Sequence, residues 1–322
     1  MNEVEEKFLE ETVEPIFDDY KKEIMKKLLG NKDKLKKQVL NVLRNIADKA
    51  NKIENYKVKY IDFSLLQIQF LRETYEVTAI AYDENWYAGE GIWEVFSIDY
   101  IFEELKEIKS KLYKDIKKYV GKIRPFCIEQ YILKQIPIFN NFFTYFLINW
   151  LKQWDEEESF KEMPKTNVIQ ITWGEYKNNL QKVFSYEFSI KTEDMFKKII
   201  EGNKPEDMIF STWTGLQASN IIIEDNDISC MSLKESNLKN LYLFNCIGVG
   251  LNFKKANLKK CHFKNCDLGA SDFAESILEE VIFENCILRN MNFKGAQFKN
   301  VYLRSGSRQK SILKEEDLLY LI

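Results

Sequence analysis

The feature that most limits how this chain can fold is a five-residue period. From Ile221 the sequence divides without interruption into IIIED, NDISC, MSLKE, SNLKN, LYLFN, CIGVG, LNFKK, ANLKK, CHFKN, CDLGA, SDFAE, SILEE, VIFEN, CILRN, MNFKG, AQFKN and VYLRS. The third residue of each unit is apolar from Ile223 and Ile228 through Phe253, Leu258, Phe263 and Leu268 to Phe298 and Leu303, with Gly248 the single gap. The first residue is small or apolar almost throughout, as in Ser236, Cys246, Ala256, Cys261, Cys266, Ser271, Ser276, Cys286 and Ala296, with Met231, Val281 and Val301 among the larger ones. Two registers held over seventeen units define a stacked repeat, in which each unit is buried by its neighbours.

The unit ANLKK at Ala256 to Lys260 matches the consensus Ala-Asp/Asn-Leu-x-x as it stands, and the segment from about Leu216 to Ser305 resembles the pentapeptide-repeat family. The resemblance implies that four units make one square coil of a right-handed β-helix, with first and third residues inward and the others outward. An inward Leu or Phe contributes roughly 1.5 to 3 kcal/mol on burial, whereas ordering each residue of a coil costs about 1 to 2 kcal/mol. One coil cannot hold itself; coils stacked at roughly 4.8 Å add ladder hydrogen bonds and cover each inward side chain from both sides. Both ends then need covers. The N-terminal domain is expected to close the first coil near Trp213 to Ile223. SILKEEDLLYLI, Ser311 to Ile322, reads as a short amphipathic capping helix with Ile312, Leu318, Leu319, Leu321 and Ile322 on its apolar face. Gyrase-protecting members of the family dimerise through their C-terminal ends, so the resemblance also allows a homodimer through Ser311–Ile322.

Ahead of the repeat the texture is mixed. Phe8, Val13, Ile16, Phe17, Ile24 and Leu28 recur at helical spacing, interrupted near Pro15, and a second helix is expected from Lys32 to Ile53 after a turn at Gly30 and Asn31. From Lys57, YKVKYIDFSLLQIQF, TYEVTAIAYDENW and GIWEVFSIDY read as three antiparallel strands. Helical periodicity returns over 101–120 and 124–154, NVIQITWGEY reads as another strand and EDMFKKII as a last short helix. The expected organisation is an α+β, helix-rich domain over 1–205, the all-β quadrilateral β-helix over 206–305, and the capping helix over 306–322.

Composition narrows the function classes. Lys and Arg number 47 against 50 Asp and Glu, so no overall field favours nucleic acid or an anionic surface. The acidic start MNEVEEKFLEETVE has neither a basic nor an apolar leader region, which makes a cytoplasmic location the expectation. The run from Tyr131 to Leu151 has the length of a membrane span, but Lys134, Gln135, Pro137, Asn140, Asn141 and Asn149 interrupt it, and it reads as a buried helix. No phosphate-binding glycine loop, no paired Cys and His ligands and no histidine before His262 are found, so no catalytic residue, cofactor or metal site is assigned. Asp83-Glu84-Asn85-Trp86-Tyr87 reads as a solvated hairpin tip. The six cysteines contain no C-x-x-C pair, and Cys246, Cys266 and Cys286 fall in one inward column as packing residues.

Residues twenty apart share a face, so outward columns can be sorted. One column reads Ile222, Tyr242, His262, Ile282 and Tyr302 with Phe244 beside it, an apolar and aromatic stripe of the kind that something covers. Its cover is the chain's own N-terminal domain or tail, another protein, or a second copy. A second candidate is a basic face centred on Lys254, Lys255, Lys259 and Lys260, which reads as a solvated lysine face or as a phosphate contact. The preferred function is a non-catalytic interaction or scaffold protein. The alternatives are a gyrase-directed imitation of DNA, which would need acidic columns where the repeat has eleven basic against ten acidic residues, and an enzyme in the N-terminal domain.

Overall fold

The computed structural model describes residues 2–176, 178–202, 204–312, 314 and 317. The chain divides into two compact units, Met1–Phe184 and Ser185–Ile322. The division falls ahead of the boundary expected at 205, because Phe196 and Met208 belong to the buried cluster of the repeat, with Ile199 and Ile200 packed against it.

The first unit begins with α1 (Glu3–Phe8), which continues through a wider turn at Leu9–Val13 into α2 (Glu14–Gly30), where Pro15 occupies the first turn and needs no amide partner. α3 (Lys32–Ala50) follows. β1 (Val58–Leu65), β2 (Glu76–Tyr82) and β3 (Ile92–Ser97) form the expected antiparallel meander. Gln67–Arg72, expected to continue the first strand, instead forms the short helix α4. Beyond α5 (Asp99–Ile116), α6 (Phe126–Leu151) and α7 (Glu158–Glu162), β4 (Lys165–Glu175) pairs in parallel with β1, and β5 (Asn178–Glu187), not anticipated from sequence, completes the order β3-β2-β1-β4-β5.

Register assigns each strand residue to a face. Phe63, Ala79, Glu94 and Trp173 share the face that meets the helices, where Trp173 stacks on Phe143 of α6 at 5.0 Å and donates its indole N–H to Asn140 at 3.0 Å. That bond explains why an apolar helix carries a buried asparagine. Among the described residues no helix is long and apolar enough to cross a membrane. The opposite face carries Tyr60, Asp62, Ile80, Tyr82 and Trp93.

The second unit begins with the end of β5, then α8 (Glu193–Gly202) and α9 (Pro205–Met208). Its coils are built from β6 (Gln217–Glu224), β7 (Asn237–Phe244), β8 (Asn257–Lys259), β9 (His262–Lys264), β10 (Ile277–Glu279), β11 (Ile282–Glu284), β12 (Gln297–Lys299) and β13 (Val301–Ser305). Parallel partners lie twenty residues apart, as in Leu238↔Leu258 and Leu278↔Phe298, so four pentapeptides make one coil. Two of the four sides are strands; the other two are isolated bridges such as Asp227↔Ile247 and Ser232↔Asn252 followed by tight turns. The bridge Thr212↔Ser232 extends the stack two pentapeptides ahead of Ile221, with Trp213 as an inward residue.

Every unit closes on a fifth residue in the left-handed region, from Gly215 (φ 73) and Asn220 (φ 55) to Gly295 (φ 73) and Asn300 (φ 56). That geometry favours Gly and Asn, and Asn indeed occupies 220, 240, 245, 265, 285, 290 and 300. The first-position hydroxyls and thiols have a defined task. Ser236 Oγ donates to Trp213 O (3.0 Å), Ser271 Oγ to Gly248 O (3.1 Å) and Cys266 Sγ to Leu243 O (3.3 Å), each reaching a carbonyl of the preceding coil. Inside, Phe253, Phe273 and Phe293 stack at 4.8 and 5.1 Å, and Phe263 and Phe283 at 5.1 Å, with edge contacts between the two columns.

The first coil is closed by α8, whose Phe196 lies 4.7 Å from Trp213, while Lys191 Nζ sits 5.1 Å from the Trp213 ring. At the far end β14 (Arg308–Ile312) folds back antiparallel on β13 through Gly306 (φ 56), pairing Val301 with Ile312 and occupying an otherwise open strand edge. Ser311 and Ile312 therefore end a strand where a capping helix was expected to start; Leu318, Leu319, Leu321 and Ile322 lie outside the described residues.

Two predictions follow from this packing. Glu5 is buried and receives both Arg124 Nε (2.8 Å) and Nη2 (2.9 Å), and these bonds hold its carboxyl at about 2 instead of 4.5. A carboxyl held low contributes stability above its ordinary range and loses it as pH falls toward the folded value. Glu5→Gln is expected to lower the melting temperature at neutral pH, with the gap to wild type closing between pH 4.5 and about 2 in a pH series of thermal melts. Gly248 fills no interior space, and the gap is taken by Leu251 and Leu268: a Cβ there would lie 2.7 Å from Leu251 Cδ1 and 3.2 Å from Leu268 Cδ2. Because both leucines are fully buried, Gly248→Ala should cost about 1 to 3 kcal/mol by overpacking, read by urea unfolding.

Candidate interaction surface

The stripe is a register column of the strand-bearing sides. Ile222 pairs with Tyr242, Tyr242 with His262, His262 with Ile282 and Ile282 with Tyr302 across consecutive coils. The reason an apolar residue is tolerated at this second position is local. On the turn-bearing sides the same position holds an Asp or Asn whose side chain accepts the amide two residues on, as in Asp227 with Ser229 (2.9 Å), Asn252 with Lys254 (3.0 Å) and Asp267 with Gly269 (2.9 Å). On a strand side no such turn has to be held, so the position is free for Tyr, His or Ile.

Ile222 is 55% exposed, whereas Tyr242, Phe244, His262, Ile282 and Tyr302 are half-buried against one another. Phe244 meets His262 edge-on at 5.8 Å and Tyr242 at 6.1 Å. Tyr242, His262, Ile282 and Tyr302 floor a shallow trough of about 510 Å³ edged by Lys260, Glu280, Asn300 and Arg304. His262 Nε2 lies 3.0 Å from Glu284, which also binds Lys264 at 2.8 Å; the Lys264 bond is the main reason its carboxyl is held below the usual range. His262 is thus tied into an ion-pair cluster at the edge of the stripe.

The lysines of the candidate basic face are answered by acids one coil on. Lys255 pairs with Glu275 at 3.9 Å, Lys259 with Glu279 at 2.9 Å and Lys260 with Glu280 at 3.9 Å, and Lys254 is buried. Glu279 also takes Lys299 at 2.6 Å, and bonds from Lys299 and Lys259 bring its carboxyl down to about 2. Each exposed pair contributes little to stability, but together they cancel the field that a phosphate backbone would need.

The inward cysteines are free thiols, and burial pushes Cys261 up to about 12, far from a reactive thiolate. Among the described residues no group of three His, Cys, Asp or Glu side chains is arranged to hold a metal ion. Two outward features escaped the sequence reading. Ile247 (52% exposed) and Ile287 (43%) line the adjoining turn-bearing side, where Asx residues otherwise stand. The i to i+20 charge pairs were legible in the spacing of Lys259 and Glu279 once the coil length was known. In the first unit, the segment read as a solvated tip is only partly so: Asp83 binds Asn85 (2.9 Å) in a turn, but Trp86 Nε1 and Tyr87 OH turn back to Asp62 at 3.3 and 3.0 Å.

A stack of square twenty-residue coils with first and third residues inward is the pentapeptide-repeat solenoid, and the second unit has that fold. The family described as the pentapeptide repeat region matches residues 243–313. Among solved structures, the chain is similar to a pentapeptide repeat protein from the thylakoid lumen of Arabidopsis thaliana, at 19% identity over 38% of this chain and 77% of that one, TM-score 0.24. It is also similar to QnrB1, a plasmid-mediated fluoroquinolone resistance protein, at 14% identity over 30% and 52%, TM-score 0.20. A third similarity is to the pentapeptide repeat protein Rfr23 from the cyanobacterium Cyanothece 51142, at 25% identity over 28% and 62%, TM-score 0.16. No curated protein matches the chain.

Proposed function

We propose that the chain is a non-catalytic interaction scaffold whose solenoid presents the Ile222–Tyr242–His262–Ile282–Tyr302 column to a protein partner. The observation that carries this reading is the unbroken register of aromatic and aliphatic side chains along a trough whose edge holds both signs of charge, Lys260 and Arg304 with Glu280. An apolar floor with a mixed polar rim suits a protein surface. Duplex imitation would require continuous acidic columns, and the outward columns instead alternate sign, as in Lys259–Glu279–Lys299.

Tyr242→Glu combined with Ile282→Glu is expected to abolish capture of the partner, or self-association, in a pull-down with the full chain and in size-exclusion chromatography, with the melting temperature retained. Unchanged capture and elution would overturn the reading. A lower melting temperature with no lost partner would mean that the chain itself covers the stripe. The purified chain is also expected to leave DNA gyrase supercoiling unchanged; dose-dependent inhibition would replace the scaffold reading by the DNA-imitating one.

A further inference from the structure

The first unit contains a cavity that the proposed scaffold role does not use. It lies on the sheet face away from the helices, has a volume of about 380 Å³, and is walled by the rings of Tyr82, Tyr87, Trp93 and Tyr176 with Glu90 and the backbone of Gly89 and Gly91 at its margin. The strands place two of the rings: Tyr82 and Trp93 both project from the face that carries Asp62. The turn places a third, since Tyr87 packs edge-on to Tyr82 at 5.2 Å and stacks on Trp86 at 4.6 Å. Tyr176 closes the ring set, 6.5 Å from Tyr87 and 6.3 Å from Trp93. Gly91 permits the close approach, because a Cβ there would stand 2.6 Å from Ile80 Cγ2 and 3.1 Å from the Tyr82 ring.

The electrostatics behind this wall are one-sided. Asp62 is 2% exposed and accepts from Thr172 Oγ1 (2.6 Å), Tyr87 OH (3.0 Å) and Trp86 Nε1 (3.3 Å); among the described residues no basic side chain pairs with it. Donation of a phenol O–H to a carboxylate increases the electron density of the ring, and ring faces attract cations through their quadrupole. Burial and then the Asp62 charge raise the Tyr87 phenol well above its ordinary range, in the direction that a negative local potential requires. No Lys or Arg is among the residues walling the cavity.

We propose that this aromatic cavity binds a methylated ammonium group, with Tyr82, Tyr87, Trp93 and Tyr176 as the cage and Asp62 and Glu90 as the counter-charge. Rings around a cavity of this size suit a compact, weakly hydrated cation, and the buried carboxylate behind Tyr87 selects charge over mere apolar bulk. The same group is carried by a free small molecule such as choline and by a trimethylated lysine side chain.

The test is calorimetric titration of the full chain with tetramethylammonium, choline, a trimethyl-lysine peptide and dimethylbutanol, the uncharged tert-butyl isostere of choline. Tryptophan indole N–H resonances are followed in parallel. Choline or the peptide is expected to saturate the site about tenfold more tightly than the neutral isostere, with the Trp93 resonance shifting. Tighter binding of the peptide assigns a protein-borne ligand, and tighter binding of choline a free one; either supports the site. Trp93 is half exposed and Glu90 is at the surface, so Trp93→Leu and Glu90→Gln leave the core intact; the first is expected to abolish binding and the second to weaken it severalfold. Equal affinity for the neutral isostere, absence of saturable binding by all three ammonium probes, or unchanged binding by Trp93→Leu overturns the proposal.

Discussion

The second unit depends on one constraint, the parallel hydrogen bonding of each residue to the residue twenty positions away. Once Leu238 is bonded beside Leu258, and Leu258 beside Leu278, every other property of the repeat is dictated by it. Like side chains must stack at the strand spacing, which suits flat rings: Phe253 and Phe273 sit 4.8 Å apart with rings nearly parallel. Carbonyls that face inward at the corners must find donors, and the Ser and Cys side chains at first positions provide them. The chain must turn every five residues, which throws the fifth residue into the left-handed region and draws Asn and Gly there. The corner asparagines then bond to one another up the stack, Asn265 to Asn245 at 3.1 Å and Asn245 to Asp225 at 3.1 Å.

The same constraint governs the surface. A side chain on a coil has its twenty-residue neighbours as its nearest lateral contacts, so charge pairing is a property of columns. Glu279 lies between Lys259 and Lys299, and Glu284 binds Lys264. Such columns present neither a basic groove nor an acidic rod to solvent, and what distinguishes one side from another is its apolar content. The strand-bearing side that carries Tyr242 and Ile282 differs from the turn-bearing sides because its second position is not engaged in an Asx turn.

How much of this was legible follows from which interactions are local. The period, its inward positions and the Cys246, Cys266 and Cys286 column are read directly from Ile221 onward, since spacing alone defines them. The first two pentapeptides were missed because Trp213 is too large for the pattern of Leu and Phe, and only Gly215 and Asn220 at the fifth position marked them. In the first unit the strands of the meander were legible from β-branched and aromatic runs. The helix Gln67–Arg72 was not, because LLQIQF alternates as a strand would. The parallel pairing of β1 with β4 joins residues about a hundred positions apart, as Asp62 with Thr172, and no local pattern encodes it. The stripe residues were placed in one column by arithmetic; the reason the column tolerates them required the turn hydrogen bonds.

That long-range pairing is also what makes Asp62 unusual. In the solenoid, acids such as Glu275, Glu279, Glu280 and Glu284 have a basic partner in the neighbouring coil, so charge is neutralised where it is displayed. Asp62 is neutralised by no cation among the described residues and is satisfied by dipoles alone, the hydroxyls of Thr172 and Tyr87 and the indole of Trp86. Burying a carboxylate on neutral donors is costly unless its field is used. Two of those donors belong to rings, and those rings reach the sheet face only because the β2–β3 turn folds back, with Trp86 held at φ 48. A bulky residue adopts that backbone region at a cost. The strain, the buried charge and the converging rings have their common explanation in a site for an organic cation.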